Sequence, residues 1–374
     1  MIPGSDSSLP GKEPSLPDGE PAIPTWKSLP LLTADLPGLG GVIKSQPEDF
    51  VVEEIPAYEP SGTGEHLFLW IEKRNVGAEL LIRQLAQRLR LQADEIGTAG
   101  LKDRHAVTRQ WVSVPARAEP RLGELHGEGI TLLHHSRHGN KLKPGHLRGN
   151  RFTLLIRGVA RPEALPALLQ RLQTQGVPNY YGSQRFGHEG QTLAQGLALL
   201  QGRATPWAKK FSGWLRRLAL SAVQSALFNA YVAQRLREGL LRRVLAGDVM
   251  KKWPFGGLFQ AVDLAVEQSR LEARETIPTG PIFGTKMFAA QGEAAQREAA
   301  TLQQAGLSLE AFAAHGRLLT GTRRYAFVYP EELSAEVVPE GVRLCFTLPA
   351  GSYATVLVRE LTHSEHLQAE DADE

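Results

Sequence analysis

Leu81, Leu85 and Leu89, with Ile82 beside them, recur at four-residue spacing through GAELLIRQLAQRLR (77–90), the period that lines one face of an α-helix. The stretches before it have another texture. GGVIKSQPEDFVVEEIP and GEHLFLWIEK are short, rich in β-branched and aromatic residues, and predict strands. Beyond the helix the pattern predicts a strand leading into Asp103, a strand at RQWVSVP, a basic loop and a strand at RFTLLIRG. PEALPALLQRLQTQG then predicts a helix closed by Gly176, whose tolerance of positive φ suits the residue after a helix end. From there the chain becomes more helical, with long helical segments at 221–241 and 292–308, separated by Gly/Pro interruptions at 253–258 and 278–284. Strand-like sequence returns at RRYAFVYP and through GVRLCFTLPAGSYATVLVRE. This alternation describes an α+β protein: a strand-rich unit from 26–176 plus 322–362, with a more helical insert, 177–321, between its parts.

The composition, 42% hydrophobic and 22% charged over 374 residues, is that of a soluble globular chain with room for two domains. Residues 1–25 are rich in Pro, Gly and Ser, have little to bury and read as a disordered leader; 363–374 reads as an acidic tail. No apolar run has the length of a membrane span or the form of a signal peptide. A single cysteine, Cys345, excludes an intrachain disulfide and a thiolate-rich zinc site, and its apolar surroundings predict a buried thiol. A cytoplasmic protein is expected. The net charge of +2 hardly argues for nucleic acid, but HHSRHGNKLKPGHLRGNR (134–151) holds five Lys or Arg, four His and no acid, a distribution suited either to a phosphate backbone or to a solvated surface.

Phosphate-loop, dinucleotide-binding, zinc-protease and nucleophile-elbow motifs are absent. His134, His135 and His138 lack a nearby carboxylate or thiol, so no metal site is expected. The position that stands out is Asp103 in TAGLKDRHAVTRQ (98–110), a lone carboxylate among Lys102, Arg104, His105 and Arg109. Two accounts fit it. One is a surface carboxylate paired with a neighbouring cation; the other is a reacting carboxylate aimed by a short loop, beside cations that hold an anionic substrate.

The wider pattern separates these accounts. AGLKDRHAVTRQ closely resembles the signature of the TruD family of transfer-RNA pseudouridine synthases, and four further stretches resemble other family signatures in family order. These are KSQPEDFVVEE (44–54), LRGNRF (147–152), VPNYYGSQRFG (177–187) and LPAGSYATVLVRE (348–360). The resemblance implies a pseudouridine-synthase catalytic domain with a mixed, mainly antiparallel sheet, in two parts at 26–176 and 322–362, and an inserted α/β TRUD domain at 177–321 that forms the other side of an RNA-binding cleft. It implies isomerisation of a D-arm uridine, uridine 13, with transfer RNA as partner, and neither cofactor, metal nor obligate protein partner.

The same resemblance carries residue roles. Asp103 is the catalytic carboxylate, attacking C1′ of the ribose or removing the 2′ proton. Lys44 orients Asp103 and balances its charge, with Pro47, Glu48, Asp49 and Phe50 supporting its loop, and Phe152 stacks on the target base. Asn150 positions the sugar or Asp103, and Lys102 is a candidate for phosphate or sugar contact. Candidate RNA contacts are Arg104, Arg109, Arg148, Arg151, Arg185, and Lys209 and Lys210 at the head of KKFSGWLRR (209–217). The competing reading is a non-catalytic structured-RNA-binding protein or RNA chaperone, which binds RNA and forms no pseudouridine.

Overall fold

The structure, a computed structural model, describes residues 23–100, 102–127, 129–203 and 211–364. Most of the proposed leader, most of the acidic tail, and Lys209 and Lys210 lie outside the described residues. In chain order the strands are β1 Phe50–Pro56, β2 His66–Arg74, β3 Gly97–Thr98, β4 Val107–Pro115, β5 Ile130–His138, β6 Leu147–Ile156, β7 Val177–Pro178, β8 Val249–Lys252, β9 Leu258–Gln260, β10 Thr276–Ile282, β11 Thr322–Tyr325, β12 Phe327–Val328, β13 Glu331–Val338 and β14 Gly341–Pro349. The α-helices are α1 Ala78–Leu89, α2 Leu165–Gln175, α3 Gln191–Leu200, α4 Gly213–Arg237, α5 Leu264–Glu272, α6 Gly292–Gln304, α7 Leu309–Ala313 and α8 Ala354–Thr362. Among the described residues no helix is long and apolar enough to cross a membrane.

An eight-stranded sheet dominates, ordered β13-β14-β6-β1-β4-β2-β5 with β3 added to β4. Only β1 and β4 run parallel, so the sheet is mixed and mainly antiparallel. A smaller sheet has the order β11-β10-β8-β9, and β7 pairs with β12, so the chain leaves and re-enters the large-sheet region side by side. β11, expected to open the returning segment, pairs with β10 in the small sheet instead.

Two cores cover one face of the large sheet. Leu81, Leu85 and Leu89 of α1 pack on Leu67, Leu69, Ile71 and Val112. Phe50, Val52, Phe152 and Phe346 pack with α2, α8 and the middle of α4 in a core continuous into the small sheet through Ile277 and Tyr325. Two glycines make these approaches possible. Gly176 ends α2 at φ 82°, where an added Cβ would lie 2.8 Å from the Val328 carbonyl, and at Gly196 of α3 it would lie 2.1 Å from the Ala219 carbonyl of α4.

Three local expectations are corrected. The basic stretch is not a loop: His134–His138 belongs to β5 and residues 147–151 to β6, leaving only 139–146 between them. Little strand precedes Asp103, since β3 is two residues long. The segment ATVLVRE reads as strand through its β-branched residues but forms α8, whose residues 356–362 are all buried. Burial on every side erases the helical amphipathicity that pattern reading needs. Its two charges are satisfied internally: Glu360 accepts from the Leu32 and Thr33 amides and the Thr33 hydroxyl, and Arg359 donates to the Lys27 and Leu29 carbonyls.

Candidate active site

Asp103 sits on the irregular segment between β3 and β4, and three lysines fix that segment from three directions. Lys73, wholly buried at the end of β2, donates to the main-chain carbonyl of Asp103 and to that of Val76, each at 2.6 Å. Burial pulls the Lys73 ammonium down to about 8, an effect the Asp103 charge opposes and the Lys102 charge reinforces. Lys102 pairs with Glu54 at 2.7 Å, the side chains being 5% and 1% exposed. Glu54 also accepts from the Trp111 amide. This corrects the expectation that Lys102 meets sugar or phosphate: its charge is spent on a buried carboxylate, and it anchors the residue before Asp103.

The third lysine touches the Asp103 carboxylate itself. Lys44 Nζ lies 3.0 Å from Asp103 Oδ2 and 4.3 Å from the Phe50 ring centroid. Lys44 adopts a left-handed backbone, φ 62°, just before the turn at Pro47–Asp49. Buried Asp49 holds that turn by accepting from the Gln46 amide and from two Arg157 nitrogens at 2.7 and 2.8 Å. Lys44 is 3% exposed and Asp103 is 35% exposed, so the cation is inside and the carboxylate remains reachable.

Strand register sorts the remaining candidates by face. Phe346, Phe152, Val52, Thr108 and Lys73 form one row across five strands, on the side of the Asp103 loop. Asn150 pairs with Glu54 one step along the same face. Phe152 is 6% exposed, stacked on Phe346 at 5.1 Å and edge-on to Phe50, so it is part of the core wall. The side-chain oxygens of Asn150, Thr108 and Gln110 are buried there with no hydrogen-bond partner among the described residues.

The adjacent row lies on the opposite face and holds Thr347, Arg151, Glu53, Arg109 and Glu72. Arg109 bonds to Glu72 at 2.9 Å and Glu53 at 3.4 Å, and Arg151 meets Glu53 at 3.6 Å and Glu332 at 3.4 Å. Side chains alternate along a strand, so these two arginines are turned away from Asp103. Of the other RNA candidates, Arg104 is exposed directly after Asp103 with no ion pair among the described residues, and Arg148, also exposed, lies at a register shift of β6 and meets Glu331 at 3.5 Å. His134 and His138 pack against aromatic rings, Trp111 and Tyr58 respectively, and Cys345 is only half-buried.

A second layer closes the site from the side of α4. Asn229 clamps the Tyr181 backbone through both amide atoms, and Arg185 donates to Ser225. The Arg324 guanidinium lies 4.2 Å from the Tyr181 ring centroid and donates to Asn179 and to the Gly351 carbonyl, tying the 177–187 stretch to the 348–360 stretch. Tyr353 packs edge-on to Tyr181 at 5.9 Å; burial raises its phenol, while Arg185 and Arg324 lower it.

Lys73, Glu54, Arg324 and Tyr353 were not singled out in the sequence. The first two had a readable signal. Leu67, Leu69, Ile71 and Lys73, like Phe50, Val52 and Glu54, continue an apolar alternation into a charge, which places that charge on the buried face. Arg324 and Tyr353 are brought in by long-range packing alone.

A family model described as tRNA pseudouridine synthase D (TruD) matches residues 28–213 and 208–361. A protein of Anaeromyxobacter dehalogenans named tRNA pseudouridine synthase D is 46% identical over 347 residues, covering 92% of this chain and 99% of the relative. One of the same name from Thermus thermophilus is 46% identical over 356 residues, covering 92% and 96%. The fold matches a crystallised Methanosarcina mazei chain assigned as tRNA pseudouridine synthase D, with a TM-score of 0.73 at 23% identity over 90% of this chain and 97% of that one.

Proposed function

Because the chain belongs to the tRNA pseudouridine synthase D (TruD) family, we propose that it isomerises uridine to pseudouridine in transfer RNA, at uridine 13 of the D arm, with Asp103 as the reacting carboxylate. The observation that carries this reading is a carboxylate with one oxygen held by a buried lysine and its carbonyl held by another, on a side chain still a third exposed. The bond from uracil N1 to C1′ breaks, the base turns, and C5 bonds to C1′; the proton lost from C5 is balanced by one gained at N1. No electron leaves or enters. Asp103 acts either by attack on C1′ or by removal of the 2′ proton, and both require its free oxygen at the sugar.

Lys44 serves as the positioning cation, and Phe152 with Phe50 and Phe346 as the apolar wall beside the turning base. The unpartnered Asn150 oxygen is suited to accept from a ribose hydroxyl or from uracil N3–H. The target must leave its stack to reach this wall. In this reading the large sheet is the catalytic unit and the segment after 176 the insert, with its end best drawn after Tyr325 because β11 belongs to the small sheet.

Site-resolved pseudouridine mapping of cellular transfer RNA, with and without the gene and after restoration with Asp103→Asn, is the test. Loss of pseudouridine at position 13 without the gene, and no rescue by the variant, is expected. Full rescue by Asp103→Asn removes the assigned role, and an unchanged position overturns the target. Lys44→Met is expected to lower turnover more than RNA affinity; equal losses would make Lys44 a binding residue.

A further inference from the structure

A cavity of about 290 Å³ opens at the seam between the large and small sheets. Arg148, Tyr181 and Ser352 line it from the Asp103 side, and Lys251, Phe255 and Arg324 from the other. Its charge is unbalanced. Lys251 makes no ion pair among the described residues; it lies 4.6 Å from the Tyr325 ring centroid, and burial lowers its affinity for a proton. Every hydrogen bond of Arg324 goes to a neutral oxygen, on Asn179 or Gly351. Arg148 reaches a carboxylate, that of Glu331, only at 3.5 Å and in the open.

The neighbour on β11 makes the contrast plain. Arg323 also lines the cavity, but its guanidinium pairs with Glu298, where both groups are buried. One arginine of the pair is neutralised within the protein, while its successor is left facing the cavity. Partly desolvated cations without a counter-ion are costly unless an anion arrives. The cavity also carries an aromatic that no core accounts for: Phe255 is 60% exposed, with the Arg148 guanidinium 5.7 Å from its ring centroid. Cations flanking an exposed ring are the chemistry of a nucleotide, a phosphate for the charges and a base for the π face.

Arg324 stacks on Tyr181, and Tyr181, which lines the cavity, packs edge-on against Tyr353. Arg148 stands two residues before Asn150 in β6.

We propose that this cavity holds a nucleotide adjoining the isomerised uridine, with its phosphate between Lys251 and Arg324 and its base on Phe255. The proposal rests on the reading of Asp103 as the group that acts on a uridine in RNA. Its test is binding, measured apart from turnover: the dissociation constant of full-length transfer RNA for Asp103→Asn protein, across a salt series, alone and combined with Lys251→Gln, Lys251→Arg or Phe255→Ala. Lys251→Gln is expected to weaken binding about tenfold at low salt and to reduce the slope of log affinity against log salt by about one, the signature of one lost phosphate contact. Lys251→Arg should restore both. Phe255→Ala is expected to weaken binding about tenfold with no change of slope. If either Lys251→Gln or Phe255→Ala, folded to the parent's unfolding midpoint, binds as tightly as the parent, the nucleotide site is overturned. Pseudouridine mapping of wild-type reactions on the same RNA fails or succeeds separately, so the isomerase reading and the subsite can fall independently.

Discussion

On both faces of the large sheet acids and bases meet across neighbouring strands, but only the face toward Asp103 buries them. The outer row, from Glu72 through Arg109 and Glu53 to Arg151, is partly exposed and shares each charge between two partners at 2.9 to 4.0 Å. The inner face pairs Lys102 with Glu54 and keeps Lys73 wholly out of water. Exposed pairs of this kind contribute up to about 1 kcal/mol each, because water competes for both ions. A buried pair adds little net stability, yet removing one partner strands the other at a cost of about 3–5 kcal/mol. The outer charges therefore tolerate rearrangement, while the inner ones admit few geometries. That difference is what allows a loop with little regular structure to hold one carboxylate in a fixed place.

Four measurements tell the two faces apart. Asp103→Asn should lower turnover about a thousandfold or more while changing transfer-RNA affinity by less than about threefold, as the proposed role on the reacting atoms rather than on the RNA at large requires. Single-turnover rates and filter binding on one preparation decide it; parallel losses in rate and affinity would make the inner face a binding surface. Next, Lys102→Met or Glu54→Gln alone should destabilise the fold by about 3–5 kcal/mol in urea unfolding, and the double variant should recover much of that. Additive losses would show that the inner pair does not act as a unit.

Lys73 supplies the third. Its folded value of about 8 lies below the ordinary 10.5, so the unfolded chain binds more protons between those two values. Stability contributed by this site therefore rises with pH across that window, by up to about 3 kcal/mol relative to Lys73→Met, which cannot titrate. Urea midpoints at pH 7 and 10.5 for the two proteins measure it, and a difference that stays flat or shrinks contradicts the burial of a charged lysine. The smallest effect belongs to the outer face. Arg109→Ala and Arg151→Ala should each cost less than about 1 kcal/mol and leave transfer-RNA affinity within about twofold; a tenfold loss in affinity would put RNA on that face after all.

The period of α1 was legible because it has one apolar and one polar face, and β1, β2 and β4 because they are short runs rich in β-branched and aromatic residues. α8 was not, since burial on all sides leaves no alternation to read, and neither was β13, whose half-polar EELSAEVV lies at the sheet edge. Of the site, the pairing of Lys44 with Asp103 was expected across 59 positions of chain and appears as a 3.0 Å contact. The partner of Lys102 was not expected. Adjacent residues in an irregular segment can point in opposite directions, and no local pattern reveals which.

By itself the sequence determined the family, the order of its signatures and, through strand alternation, which charges had to lie inward. Arg109 and Arg151 could be assigned to the outer face only once the register joined their strands to the Asp103 side of the sheet, because a shift of one residue exchanges the two faces. Tertiary structure alone decided that Lys73 grips the Asp103 backbone, that Arg324 joins two signatures 161 or more positions apart, as its contacts with Asn179 and Gly351 require, and that an unbalanced cavity lies beside them. Those facts depend on which surfaces exclude water together, and exclusion of water is a property of the packed chain rather than of any stretch of it.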